Sequence, residues 1–336
     1  MEQGHQGGGP QRALMSHSRA LYTGTIAALG LIAGTVNAQT FPTKPLRIIV
    51  PFAPGGTADT SARQLAEHLG KPLGQPVIVD NRPGAGAVIG YELGAKAPPD
   101  GHTLLIVYPS FVINPSVRKV QYDPQRDFRA VTQIISLPMS FAVHPSLPVN
   151  TFKDYAALAR AKPGEITYGT PGVGTTHHVL AELAALSMKG KLTHVPYSGG
   201  APAITALAGG HVTSVCGNVS EMVPFAKSNR IRVLVVTSAK RSESLPEVPT
   251  MRESGFPDLE ATNWSGIVVP AATPAAAVTR LNTELVRALG TTDIRDKFRT
   301  QEMAPEPSTA EQFAGLLQSE SARYSKVVKA AGIRAE

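Results

Sequence analysis

The segment Phe52-Ala-Pro-Gly-Gly-Thr-Ala-Asp59 joins an apolar run at Leu46 to Val50 to a helical pattern that starts near Ala58. Gly55 and Gly56 let the backbone come close to a ligand, and the first N–H groups of the following helix have no partner within it. A turn of this kind holds anions through fixed backbone dipoles. A purely structural turn is the alternative, with Thr57 as the helix cap and Asp59 placed favourably for the helix dipole. A second turn, Gly169-Thr-Pro-Gly-Val-Gly-Thr-Thr176, nearly spells the phosphate loop of nucleotide hydrolases, yet Thr175 stands where that loop needs lysine. What survives is an amide cradle, with the Thr175 and Thr176 hydroxyls as cap or ligand contacts. Two cradles facing each other across a cleft suit a small molecule with a carboxylate at one or both ends, and point to binding rather than covalent chemistry.

Other reactive residue types do not assemble into a catalytic set. His177 and His178 are sequence neighbours that a helix would turn about a third of a turn apart, and no metalloprotease-type pattern accompanies them. They are expected at the solvent or cleft edge, and no metal is expected. Ser198 in Tyr197-Ser-Gly-Gly-Ala-Pro202 lacks the preceding glycine of the hydrolase nucleophile elbow. A secreted hydrolase is therefore the rival from another class, without a readable nucleophile, base and oxyanion donor. Cys216 lies in the apolar run Val212 to Cys216 and reads as a buried structural thiol. Trp264 reads either as core or as a cleft wall.

The elements that must carry these turns alternate between strand and helix. Leu46 to Pro51 reads as a strand, Ala58 to Leu69 as a helix stopped by Gly70, Val77 to Val79 as a strand, Gly86 to Ala97 as a helix, and Thr103 to Val107 as a strand. This is a βαβ series with parallel pairing. Ala130 to Val143 reads as a long crossing strand. A second series follows: helix Phe152 to Ala161, strand Ile166 to Tyr168, helix His177 to Met188, strand Leu192 to Val195, helix Pro202 to Ala208, and strands Val212 to Cys216 and Ile231 to Thr237, the last as the return crossing. Strand Gly266 to Val269 and helices Pro274 to Leu289, Ile294 to Thr300 and Thr309 to Ala331 should pack on the first domain. The expected class is α/β with two domains: residues 39–141 plus 238–336 form the first, 142–237 the second, and ligand sits between them.

The totals narrow the function classes. The 336 residues are 42% hydrophobic and 17% charged, which suits two packed domains rather than a disordered chain. The net charge of +7 is spread without Lys/Arg runs, so no nucleic-acid partner is expected. Residues 1–38 read as a leader: translation from Met15, Arg19 ahead of the apolar stretch Ala20 to Val36, and cleavage after Ala38. Export to the periplasm follows.

At this level the chain resembles the Bug or TctC-like extracytoplasmic solute receptors of tripartite tricarboxylate transport systems. The resemblance spans essentially all residues after the leader. It is carried by Phe41-Pro-Thr-Lys-Pro-Leu-Arg-Ile-Ile-Val-Pro-Phe-Ala-Pro-Gly-Gly56, Asp80-Asn-Arg-Pro-Gly-Ala-Gly86, Pro99-Asp-Gly-His-Thr-Leu104, His194-Val-Pro-Tyr-Ser-Gly-Gly200, Val236-Thr-Ser-Ala-Lys-Arg241, Val248-Pro-Thr250 and Val327-Val-Lys-Ala-Ala-Gly332. It implies a periplasmic-binding-protein fold of type II, with two domains joined by crossing strands and closing on an organic acid. The carried-over ligand-binding set is Phe52, Ala53, Gly55, Gly56, Thr57 and Asp59 in the first loop, and Gly174, Thr175, Thr176 and His177 in the second. Tyr108, Ser110, Ser198, Gly199 and Asn218 complete it. Gly217 stands where family members often carry an acid before the asparagine, which favours a plain carboxylate or dicarboxylate over an amino acid. The implied partners are a small organic anion and membrane permease subunits, with a sensor kinase as the alternative reader; no cofactor is implied, and a monomer is expected.

Overall fold

The computed structural model describes residues 41–334 together with Met1, so the leader and its cleavage point after Ala38 lie outside the described residues. The first series comprises β1 (Leu46–Val50), α1 (Thr57–Leu73), β2 (Val77–Asn81), α2 (Val88–Ala95), β3 (Thr103–Val107) and α3 (Ser110–Val117). β1 pairs in parallel with both β2 and β3, as the sequence pattern predicts. α1 does not stop at Gly70; it ends at Gly74, which adopts φ 66°. An interior glycine costs a helix only about 1 kcal/mol, and the stripe Leu65, Leu69 and Leu73 continues to bury across it. Gly74 provides the left-handed C-cap that terminates it.

β4 (Phe128–Val143) is the expected crossing strand. After it come α4 (Phe152–Ala161), β5 (Thr167–Thr170), α5 (Thr176–Met188), β6 (Thr193–Pro196), α6 (Gly200–Ala208), β7 (Ser214–Asn218), α7 (Val219–Lys227) and β8 (Arg232–Val236). The chain closes with β9 (Thr262–Pro270), α8 (Ala275–Leu289), α9 (Thr292–Arg299), β10 (Ala304–Pro305) and α10 (Ala310–Ala331). The main strand order is β2-β1-β3-β9-β4-β7-β5-β6, with β8 and β10 also pairing to β4. Residues Phe128 to Pro138 of β4 pair with β9, whereas Met139 to Val143 pair with β7 and Ser140 to Val143 with β8. One strand thus passes through both halves of the sheet.

The return crossing differs from the expectation. Residues 231–237 were expected to make it, but β8 stays in the second half beside Ser140–Val143, and the chain re-enters the first half as β9. The reason is burial. Leu245 and Val248 pack with Val219 and Val236, while Met251 and Leu259 join Phe141 and Phe152. These residues, grouped above with the first domain, cover the second half-sheet.

Side-chain alternation explains why the first half-sheet is covered on both faces. Leu46, Ile48 and Val50 face a core shared with α1, α8 and α9, while Ile49, Leu105 and Val107 face α2, α3 and α10. Trp264 lies within β9, edge-on to Phe313 with ring centroids 5.8 Å apart, and donates to Glu320 at 3.0 Å; it is a core residue. Cys216 is fully buried in the second core, as expected. Gly266 on β9 is tightly packed, since an added Cβ would fall 2.1 Å from the Phe313 ring. Gly266→Ala is expected to destabilise the protein by about 1–3 kcal/mol through overpacking, read from the urea midpoint; an unchanged midpoint would contradict this packing.

Candidate functional site

Both anion-type turns lie where the two half-sheets meet. The first leads from β1 into α1, whose N-cap is Gly56, not Thr57: Gly56 has the extended ψ of 176°, and Thr57 is the first helical residue. Asp59 is buried and turns back, accepting from the Gly55 amide at 3.0 Å and pairing with Arg63 at 2.9 Å. Burial opposes its charge, but the bonds from Arg63 and Gly55 hold its carboxyl below the usual range. Asp59 therefore fixes the turn.

The second turn leads from β5 into α5. Here Thr175 is the N-cap, accepting from the His178 amide at 3.4 Å while its hydroxyl donates to Gly172 at 2.7 Å. His177 and His178 are not at the edge; only 4% and 6% of their surfaces are exposed. His177 Nε2 bonds Asn218 Oδ1 at 2.9 Å, and the His178 ring stacks on His194 at 4.3 Å. Burial lowers both pKa values to about 4. The pattern of two adjacent histidines misled because α5 is packed on both sides: Leu180, Ala181 and Ala184 lie in the second core, and Val179 reaches the first.

Asn218, at the end of β7, ties the two halves together. Its Oδ1 also accepts from Asn263 of β9 at 3.2 Å, and its Nδ2 donates to Thr57 Oγ1 at 3.3 Å. Thr176 donates to Asn263 at 3.2 Å, and Thr57 Oγ1 shares a bond with Ser220 at 2.9 Å. A backbone bond from Ala53 N to Ser198 O, 3.0 Å, adds a second link, with Gly199 closed down on Ala53. The turns thus approach each other through hydrogen bonds between the halves.

Between them lies a cavity with a free volume of about 30 Å³. Of the expected site residues, Phe52, Gly56, Tyr108, Ser110, Thr175, Thr176, His177 and Asn218 line it. Phe52 meets Tyr108 edge-on at 5.6 Å, and Ser110 bonds Tyr91 at 2.6 Å. Ala53, Gly55, Thr57, Asp59, Gly174, Ser198 and Gly199 sit around the lining instead. Gly174 supplies a φ of 80° beside Asn114.

Sequence reasoning missed Glu221, Asn263, Pro171 and Gly200, all of which line the cavity. A signal for Glu221 was present: Asn218 followed three residues later by an acid is the pattern of a helix start, and α7 begins there. Asn218 makes no side-chain cap, although its backbone N–H lies close enough to favour the Glu221 carboxylate; both side chains line the cleft. Glu221 Oε1 accepts from the Thr57 amide at 2.8 Å, and burial pushes its carboxyl above the usual range. Among the described residues no cluster of three ligating side chains suited to a metal forms, and no helix is long and apolar enough to cross a membrane.

The profile of the TctC family, the tripartite tricarboxylate transporter family receptor, matches residues 61–333. Three solved structures are similar along most of the chain. The periplasmic binding protein BugD is 29% identical with TM-score 0.85, covering 88% of this chain and 100% of its own. Rpa4515 of R. palustris, solved with adipate, is 35% identical with TM-score 0.84, covering 88% and 99%. MatC of Rhodopseudomonas palustris, solved with bound malate, is 30% identical with TM-score 0.81, covering 86% and 100%. The fold is that of a two-domain periplasmic binding protein.

Proposed function

Because the chain belongs to the tripartite tricarboxylate transporter receptor family, we propose that it is a periplasmic receptor that captures a small organic carboxylate by hinge closure and presents it to a membrane permease. The observation that carries this reading is Asn218. It bonds His177 at the second turn, Asn263 on the strand returning between the halves, and Thr57 at the first turn, so closure and the geometry of the cavity are coupled through one side chain. Ligand contacts made only when the halves meet stabilise that arrangement. The α5 N-terminus at Thr176 and His177 holds the carboxylate by fixed dipoles, and the aromatic pair Phe52 and Tyr108 meets its carbon chain. Two of the similar structures, Rpa4515 with adipate and MatC with bound malate, carry molecules of this chemical class.

The ligand leaves chemically unchanged. Isothermal titration of the exported protein with a panel of mono- and dicarboxylates is expected to give one site at micromolar affinity or tighter, about −8 kcal/mol or better. A protein that binds no organic acid in the panel would overturn the reading.

A further inference from the structure

The Glu221 carboxylate is seated where two helix N-termini meet. Oε1 takes the Thr57 amide of α1, and a Cβ on Gly200, the first residue of α6, would fall 2.1 Å from Oε2. A Cβ on Gly56 would fall 2.9 Å from Oε1. The bare glycines therefore provide the space that this carboxylate fills. The residue as a whole keeps partial exposure; Oε2 is shielded from solvent and lacks a hydrogen bond of full geometry, with the Asn218 amide and side chain among the groups favouring the carboxylate. Asp59 already engages the Gly55 amide. The Gly55 and Thr57 amides of the first turn are thus both taken by the protein's own acids.

The cavity lining contains no lysine or arginine, and Glu221 is its single carboxylate. A ligand carboxylate placed at the first turn would lie against a like charge in a poorly hydrated site, and such pairs resist joint ionisation. The second turn presents hydroxyls and a neutral histidine instead. We propose that Glu221 is a specificity-determining residue that admits an organic acid with one carboxylate, held at the α5 N-terminus, and a hydrogen-bond donor, ammonium above all, at the end facing Oε2. This rests on the carboxylate-receptor reading above and reverses the preference drawn from Gly217, because the acid absent there is supplied four residues further on, at Glu221. Rejection of the wrong ligand by an unpaired or repelled charge is a common route to selectivity.

The test uses length-matched series at pH 8: succinate against 3-aminopropanoate, glutarate against 4-aminobutanoate and 4-hydroxybutanoate, and adipate against 5-aminopentanoate. Calorimetric titration of the wild-type protein is expected to favour the donor-bearing acid over its matched diacid at least about tenfold at the length that fits. Glu221→Gln, with thermal melting as the check that it folds, is expected to bring that ratio to within about threefold or invert it, whereas Glu221→Asp keeps the sign of the preference. A wild-type preference for diacids, or a ratio unmoved by Glu221→Gln, would overturn the proposal while leaving the receptor reading intact. Failure of every acid to bind any of the three proteins would overturn both.

Discussion

Gly86→Ala is expected to weaken carboxylate binding about a hundredfold or more. Gly86 adopts φ 63°, and a Cβ there would fall 1.9 Å from the Val173 carbonyl oxygen and 3.0 Å from its carbonyl carbon. Val173 belongs to the turn ahead of α5, so the collision is backbone against backbone across the meeting line of the two halves. No rotamer change relieves it. Arg118 donates to the same carbonyl at 3.0 Å, and the neighbouring Gly172 also packs on the Gly86 backbone. The loops must separate by more than an ångström, and a hundredfold loss corresponds to about 2.7 kcal/mol withdrawn from the closed form. The left-handed backbone adds its own cost of about 1–2 kcal/mol for a residue with a Cβ. Gly74→Ala separates the two effects, because Gly74 has φ 66° with nothing within 4 Å of the added methyl. It should lose comparable stability in a urea titration and keep its ligand affinity. Equal affinities for Gly86→Ala and the wild type would refute closure at this contact.

Acid should unfold this protein before most of its carboxylates titrate. His177, His178 and His194 are kept neutral by burial, with pKa values lowered from 6.5 to about 4, about 4 and about 3. Arg118 adds to the effect at His178, and His178 adds to it at His194. The rings have their own partners in the neutral form: Asn218 for His177, the Gly174 amide for His178, and Thr170 for His194. An unfolded chain binds protons at these sites from about pH 6.5 downward while the folded one does not, so stability is full above that pH and falls as pH drops toward 4. His177 alone accounts for roughly 3 kcal/mol when the whole interval is crossed. Glu221 acts in the opposite sense, since its carboxyl is raised in the fold, but it is one group against three. The thermal midpoint should fall continuously between pH 6.5 and 4.5, and a flat profile there would show that the histidines are hydrated.

The sequence carried the placement of elements because periodicity is a local property. Helix Phe152–Ala161 and strand Thr103–Val107 are found at the bounds their apolar spacing indicates, and the long apolar segment Ala130 to Val143, broken only by Pro138, lies within the strand that runs through both halves. α7 escaped notice: Pro224 interrupts it, and only Val219 and Met222 are buried. With it went Glu221.

What the residues alone determined was therefore the pair of glycine-rich turns, their attachment to strand ends, and the chemistry their amides offer. Tertiary structure decided which amides remain to be offered. Whether Thr57 N–H meets a ligand or Glu221, 164 positions away, depends on how α7 is laid across the cleft, and no local pattern encodes a contact at that separation. The same holds for His177 and His178, whose neutrality comes from two cores closing around α5; burial is a property of the assembled halves, and it converts residues with edge-like spacing into the most acid-sensitive part of the protein.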